Sequence, residues 1–170
     1  MFEKILVPID NSPTSKQAFE QGMFLAKATG ASLMLVNVSS LAGLDSGYPN
    51  LVMPIVNSAY IAAQTEALQN YLQQWEIVKQ QDLELLKSLA EQAKDAGIAT
   101  EYAQPIGDAG KEICQLARSW GASLIVMGRR GHTGLSELIQ GSVSNYVTHH
   151  APCSVLTVQG KEGGGDGGEE

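Results

Sequence analysis

A chain of 170 residues with 44% hydrophobic and 17% charged residues can bury the core of one globular domain. Its net charge is -7, of which -3 lies on one lysine and four acids in residues 161–170, so the body carries -4. That balance argues against nucleic acid or an anionic membrane as the main partner, but not against a nucleotide, which needs only local donors. The two cysteines, Cys114 and Cys153, make no disulfide framework, fit a reducing compartment and read as structural. The opening MFEKILVPID is too short in apolar length for a signal peptide, and no run reaches membrane-spanning length. The cytoplasm is therefore the expected location.

The first predicted element is a short apolar strand, Lys4 to Ile9, with Pro8 near its end where pairing can stop. Asp10, Asn11 and Ser12 form a turn and cap cluster, and Pro13 suits the first turn of a helix. Ala18, Phe19, Gly22, Met23, Leu25 and Ala26 give that helix its stripe, and Gly30 stops it. Leu33 to Val38 is a second strand, apolar enough to have both faces covered. Residues 41–59 break the rhythm with Gly43, Gly47, Pro49 and Pro54, and read as a long irregular loop insertion.

Ile61 to Ala96 keeps helical spacing through Leu83, Leu86, Leu89, Ala90 and Ala93, with Gly97 as the stop. Tyr71 to Ile77 either continues this helix or divides it in two. Thr100 to Gln104 is a weaker third strand, and Asp108 caps a helix from about Ala109 to Trp120. Leu124 to Met127 and Ser154 to Val158 complete the strands, with a helix from Ser144 to His150 between them, ended by Pro152. Residues 160–170, GKEGGGDGGEE, form a flexible glycine-rich acidic tail outside a single domain spanning 1–159.

Alternation of strand and helix predicts an α/β fold, a doubly wound parallel sheet of five strands with helices on both faces. With strand order 3-2-1-4-5, a ligand would bind beyond the carboxyl ends of strands one and four, where the order reverses. Asp10-Asn11-Ser12 lies beyond one end. Beyond the other lies MGRRGHTGLSELIQGSVS, Met127 to Ser144. A strand, a glycine-rich loop and a helix start bearing hydroxyls make a phosphate cradle. Glycine admits a close ligand, and the first N–H groups of a helix are unpaired and electropositive. The alternative use of those glycines is turn formation alone.

Gly128, Gly131 and Gly141 followed by Ser142 fit neither the Walker pattern nor the dinucleotide GxGxxG. The spacing Gly-x2-Gly-x9-Gly-Ser resembles the nucleotide-binding branch of the universal stress protein family. So do Val7-Pro8-Ile9-Asp10 and Ala151-Pro152-Cys153-Ser154-Val155-Leu156, and the likeness extends to about Gln159. The resemblance implies the doubly wound sheet and a homodimer paired through the last strand, Val155 to Val158. It also implies ATP or AMP bound without a conventional catalytic apparatus, and an unknown regulatory protein partner. A second branch of the family lacks the motif and binds no nucleotide.

Carried residue by residue, the resemblance sets Pro8 and Ile9 against adenine and Asp10 near the ribose and any phosphate-bound Mg or Mn. The main chain of Val38 would read the adenine edge, with Met127 and Gly128 by the ribose or base. Gly131, His132, Gly141, Ser142, Val143 and Ser144 would face the phosphates. Asp10 is also a natural cap residue, and Val143 fits a helix core equally well. Arg129 and Arg130 suit phosphate, yet equally read as solvated loop charges.

No residue announces itself as a nucleophile or general base. Ser142 has no His/Asp partner nearby in sequence, no Gly-x-Ser-x-Gly elbow occurs, and no His or acid cluster completes a metal site. Hydrolysis would be slow and metal-assisted. A binding module is therefore favoured over an enzyme, with nucleotide occupancy modulating conformation or partner binding. A nucleotide-free dimeric scaffold and a slow Mg-dependent ATPase are the alternatives.

Overall fold

The centre of the sheet is strand β1 (Lys4–Pro8), whose Ile5, Leu6 and Val7 have no exposed surface. Such a continuous apolar run suits a parallel strand covered on both faces. The structure is a computed structural model that describes residues 1–40, 58–129 and 142–159, without the side chains of 58–67. Residues 41–57, 130–141 and 160–170 lie outside the described residues, taking with them most of the expected 41–59 loop, whose last two residues are helical, the middle of the glycine-rich stretch and the tail.

After β1 come helix α1 (Pro13–Thr29), β2 (Ser32–Val36), α2 (Ser58–Asp95), β3 (Thr100–Ala103), α3 (Ala109–Trp120), β4 (Leu124–Arg129), α4 (Ser142–His150) and β5 (Ser154–Gln159). The five strands are parallel in the order β3-β2-β1-β4-β5. On one face α1 and α2 bury Phe19 and Leu86 against Ile5, Val7, Leu33, Leu35 and Val126. On the other, α3 and α4 bury Ile113 and Val147 against Leu6, Met34, Val36, Ile125 and Met127. The alternation along each strand divides its side chains between the two cores.

Local chemistry sets the ends. Ser12 caps α1 by accepting from the Ser15 amide at 3.2 Å, Pro13 occupies the first turn, and Gly30 closes the helix at φ 73°. Asp108 caps α3 by accepting from the Lys111 amide at 2.9 Å. Ile9 donates its N–H to the Val36 carbonyl at 2.7 Å. By strand alternation the Pro8 nitrogen faces β4 instead. Pairing there has already ended, with Leu6 opposite Ile125, so the missing donor costs no ladder bond.

Several boundaries differ from the sequence reading. β1 and β2 stop at Pro8 and Val36, short of Ile9 and Val38, because the chains leave the ladder where the cleft opens. β3 stops at Ala103 rather than Gln104, and β5 runs on to Gln159. α4 begins at Ser142 rather than Ser144, and α2 is one continuous helix of 38 residues through Tyr71 to Ile77.

Candidate functional site

The strand order reverses between β1 and β4, and the segments leaving their carboxyl ends part around a cleft of about 240 Å³. That is slightly below the usual range of small-molecule sites, about 300–1,000 Å³. From the end of β1 and the turn after it come Pro8, Ile9, Asp10 and the cap Ser12, and from the first turn of α1 Thr14 and Ser15. The end of β2 and the residues after it supply Val36, Asn37 and Val38. α3 supplies Ala109 and Ile113, β4 Met127 and Gly128, and α4 Ser142, Val143 and Ser144.

The β1–α1 turn is held by its own polar groups. The Asp10 amide donates to Ser15 Oγ at 2.9 Å, and the Ser12 amide donates to Asp10 Oδ1 at 2.9 Å. The Ser12 hydroxyl also donates to that carboxylate oxygen and lies 3.1 Å from Thr14 Oγ1. Asp10 is thereby fixed at the mouth with its carboxylate exposed. Across from it, β4 approaches α1 closely. A Cβ on Gly128 would lie 2.8 Å from the Thr14 carbonyl carbon, so only glycine fits without a shift.

β2 and β4 lie on opposite sides of β1, so the lining differs across the cleft. Val36 and Val38 make its β2 end apolar apart from Asn37, and Ile113 and Met127 add apolar surface from α3 and β4. Asp10, Ser12, Thr14, Ser142 and Ser144 gather at the other end, beside the first amides of α4. Those amides carry the positive pole of a nine-residue helix. This arrangement suits a ligand with a flat apolar part and an anionic part. Asp10 is the one acidic residue among the described lining residues. A divalent ion there would need its other oxygens from ligand and water.

Of the residues anticipated from sequence, Pro8, Ile9, Asp10, Val38, Met127, Gly128, Ser142, Val143 and Ser144 come together in this cleft. Arg129 does not line it and is exposed at the end of β4. Arg130, Gly131, His132 and Gly141 lie outside the described residues. Ser12, expected only as part of the turn beyond the first strand, also lines the cleft, and Thr14, Ser15, Val36, Asn37, Ala109 and Ile113 were not anticipated as lining. Asn37 carried a signal, being a polar residue inside the run LMLVNV. Ala109 and Ile113 carried none, since only the docking of α3 brings them to the cleft.

No His lines the cleft among the described residues, and none of those residues forms a cluster of three metal-binding side chains. His149 and His150 end α4, where His150 Nδ1 sits 2.8 Å from the Tyr146 carbonyl. No helix among the described residues is long and apolar enough to cross a membrane.

Over residues 1–159 the chain matches the model of the Universal stress protein family. It is 35% identical over 161 residues to universal stress protein Sll1388 of Synechocystis sp., covering 93% of this chain and 98% of that protein. Among solved structures, the universal stress protein UspA of Lactobacillus plantarum superposes with a TM-score of 0.65 at 22% identity, over 92% of this chain and 97% of that one. A universal stress protein family protein of Arabidopsis thaliana with AMP bound superposes with a TM-score of 0.57 at 19% identity, over 92% and 91%.

Proposed function

This chain belongs to the universal stress protein family, and from that premise we propose that it binds an adenine nucleotide, ATP or AMP, in the cleft between β1 and β4. Occupancy would serve stress-response regulation by altering conformation or partner binding, in the cytoplasm, rather than turnover. The observation that carries this reading is the polarity of the cleft. An apolar end accepts a base, and the hydroxyls and first amides of α4 accept phosphate. AMP in the Arabidopsis relative supports the ligand class. Asp10 would meet the ribose, with Mg or Mn carried in by the phosphates if a metal takes part. The main chain of Val38 would read the base edge. Ser142, Val143 and Ser144 would face phosphate, together with Gly131, His132 and Gly141 outside the described residues.

Acid extraction of freshly purified protein, with mass spectrometry of the released material, is the first test. Calorimetric titration of the stripped protein with ATP and magnesium follows. Adenine nucleotide in the extract and saturable binding weakened in Asp10→Ala are expected. An empty extract with a flat titration would overturn the reading. One observation favours a second role, as a dimeric scaffold: β5 is an edge strand with Leu156 40% exposed, which invites pairing with a second copy.

A further inference from the structure

Where β1 and β2 leave the ladder, two side chains take over the stitching. The Ile9 N–H still reaches the Val36 carbonyl, but the Ile9 carbonyl accepts from Asn37 Nδ2 at 3.1 Å. Asn37 is 6% exposed. Its own N–H donates to the Ala103 carbonyl at 3.2 Å, and its Oδ1 accepts from Gln104 Nε2 at 3.2 Å. The same Gln104 nitrogen donates to the Lys79 carbonyl on α2 at 2.9 Å. Both ends of this chain of bonds, the Ile9 and Lys79 carbonyls, are acceptors. Each amide must therefore turn its NH2 group toward them, and the two hydrogens on Gln104 Nε2 serve both of its partners. The network runs from the end of β1, across β2 and the end of β3, to the helix packed behind them.

We infer that Asn37 and Gln104 are a positioning pair that holds Ile9 and Val38 at the apolar end of the cleft and ties that end to α2. Asn37 lines the cleft, whereas Gln104 does not and acts through Asn37. The identity of the ligand rests on the nucleotide reading above, and the pair itself does not. A carboxylate of nearly the same shape at position 104 has no hydrogen to donate. It would set an anion against the Lys79 and Asn37 oxygens, so Gln104→Glu breaks the network with little change in volume.

The test has a ligand-dependent arm and a ligand-free arm. In calorimetry with AMP, Gln104→Glu should weaken binding about 5- to 30-fold, the ratio carried by one or two lost net hydrogen bonds. Adenosine should be affected alike, while competition by pyrophosphate, which touches the α4 end, should be unchanged. A general loosening of the fold would move both. In the unliganded protein, hydrogen exchange over residues 7–12 should quicken in Gln104→Glu and in Gln104→Ala, the variant to use if the charged one fails to fold. Asn70→Asp, on the exposed face of α2, should change neither readout. Unaltered exchange at 7–12 together with unaltered AMP affinity overturns the proposal, as does equal weakening toward pyrophosphate. If the wild type binds neither AMP nor ATP, the nucleotide reading fails, and the exchange of residues 7–12 alone decides the pair.

Discussion

Gly128 shows how little slack the cleft has. The atoms that a Cβ would strike belong largely to the Thr14 backbone, at 2.8 and 2.9 Å, inside a capped helix that cannot swing aside like a side chain. Gly128→Ala should cost about 1–3 kcal/mol, the range for forcing extra volume into a packed site. A urea melt reads this, and an unchanged midpoint would mean that α1 yields more freely than its cap suggests. The thiols supply a second test at this scale. Burial pushes the Cys114 thiol up, against a smaller opposing pull from the Arg118 cation, and burial raises Cys153 too, with Cys114 adding to it. A folded-state value above the unfolded one favours the protonated thiol. That stabilisation is fully present below the ordinary thiol range near about 8.5 and is lost as pH rises through the folded values. At pH 7.5 both cysteines should alkylate with iodoacetamide far more slowly in the native protein than in urea, as mass spectrometry would show. Equal rates would contradict the burial argument.

The longest element, α2, is two things in one helix. Its 38 residues span about 57 Å at 1.5 Å per residue, roughly three and a half to four times the length of the strands beside it. Leu86, Ala90 and Ala93 are buried against the sheet, whereas Leu68, Leu72, Ile77 and Val78 are 42–50% exposed. Leu86→Ala should cost about 2–5 kcal/mol, and Leu72→Ala should stay within about 0.5 kcal/mol. Two such melts, with amides of 68–78 exchanging ahead of those of 86–95, would establish the division. The same contrast explains what the sequence disclosed. The spacing of Leu83 to Ala93 was legible because a core imposes it. Tyr71 to Ile77 was ambiguous because, among the described residues, no buried cluster includes that stretch to set a register. Ile9 and Val38 looked like strand because apolar residues, buried or half-buried, line the cleft as well as the ladder. Of the glycine spacing, Gly128 and Ser142 fall among the described residues, and both line the cleft. Gln104 could not be found that way, since its part depends on three chain ends meeting α2.

At the scale of the whole molecule, the order β3-β2-β1-β4-β5 leaves β5 as an edge, with Val155 and Val158 half-buried and Leu156 exposed. If that edge is the homodimer surface, Leu156→Lys should shift sedimentation from dimer to monomer, since a lysine on an edge strand discourages pairing. A wild type that sediments as a monomer would remove the dimer altogether. The polarity of the cleft and the closeness of β4 to α1 both depend on β1 sitting between β2 and β4.

That central place has a consequence during synthesis. β1 can pair with β2 almost at once, but its other partner begins at Leu124, opposite Ile5. At about 5–20 residues per second, the intervening stretch of about 120 residues takes roughly 6–24 s to emerge from the ribosome. For that interval the middle of the future sheet is a bare edge carrying Ile5, Leu6 and Val7. A nascent chain of this kind invites a chaperone before it has anything to bind a ligand with.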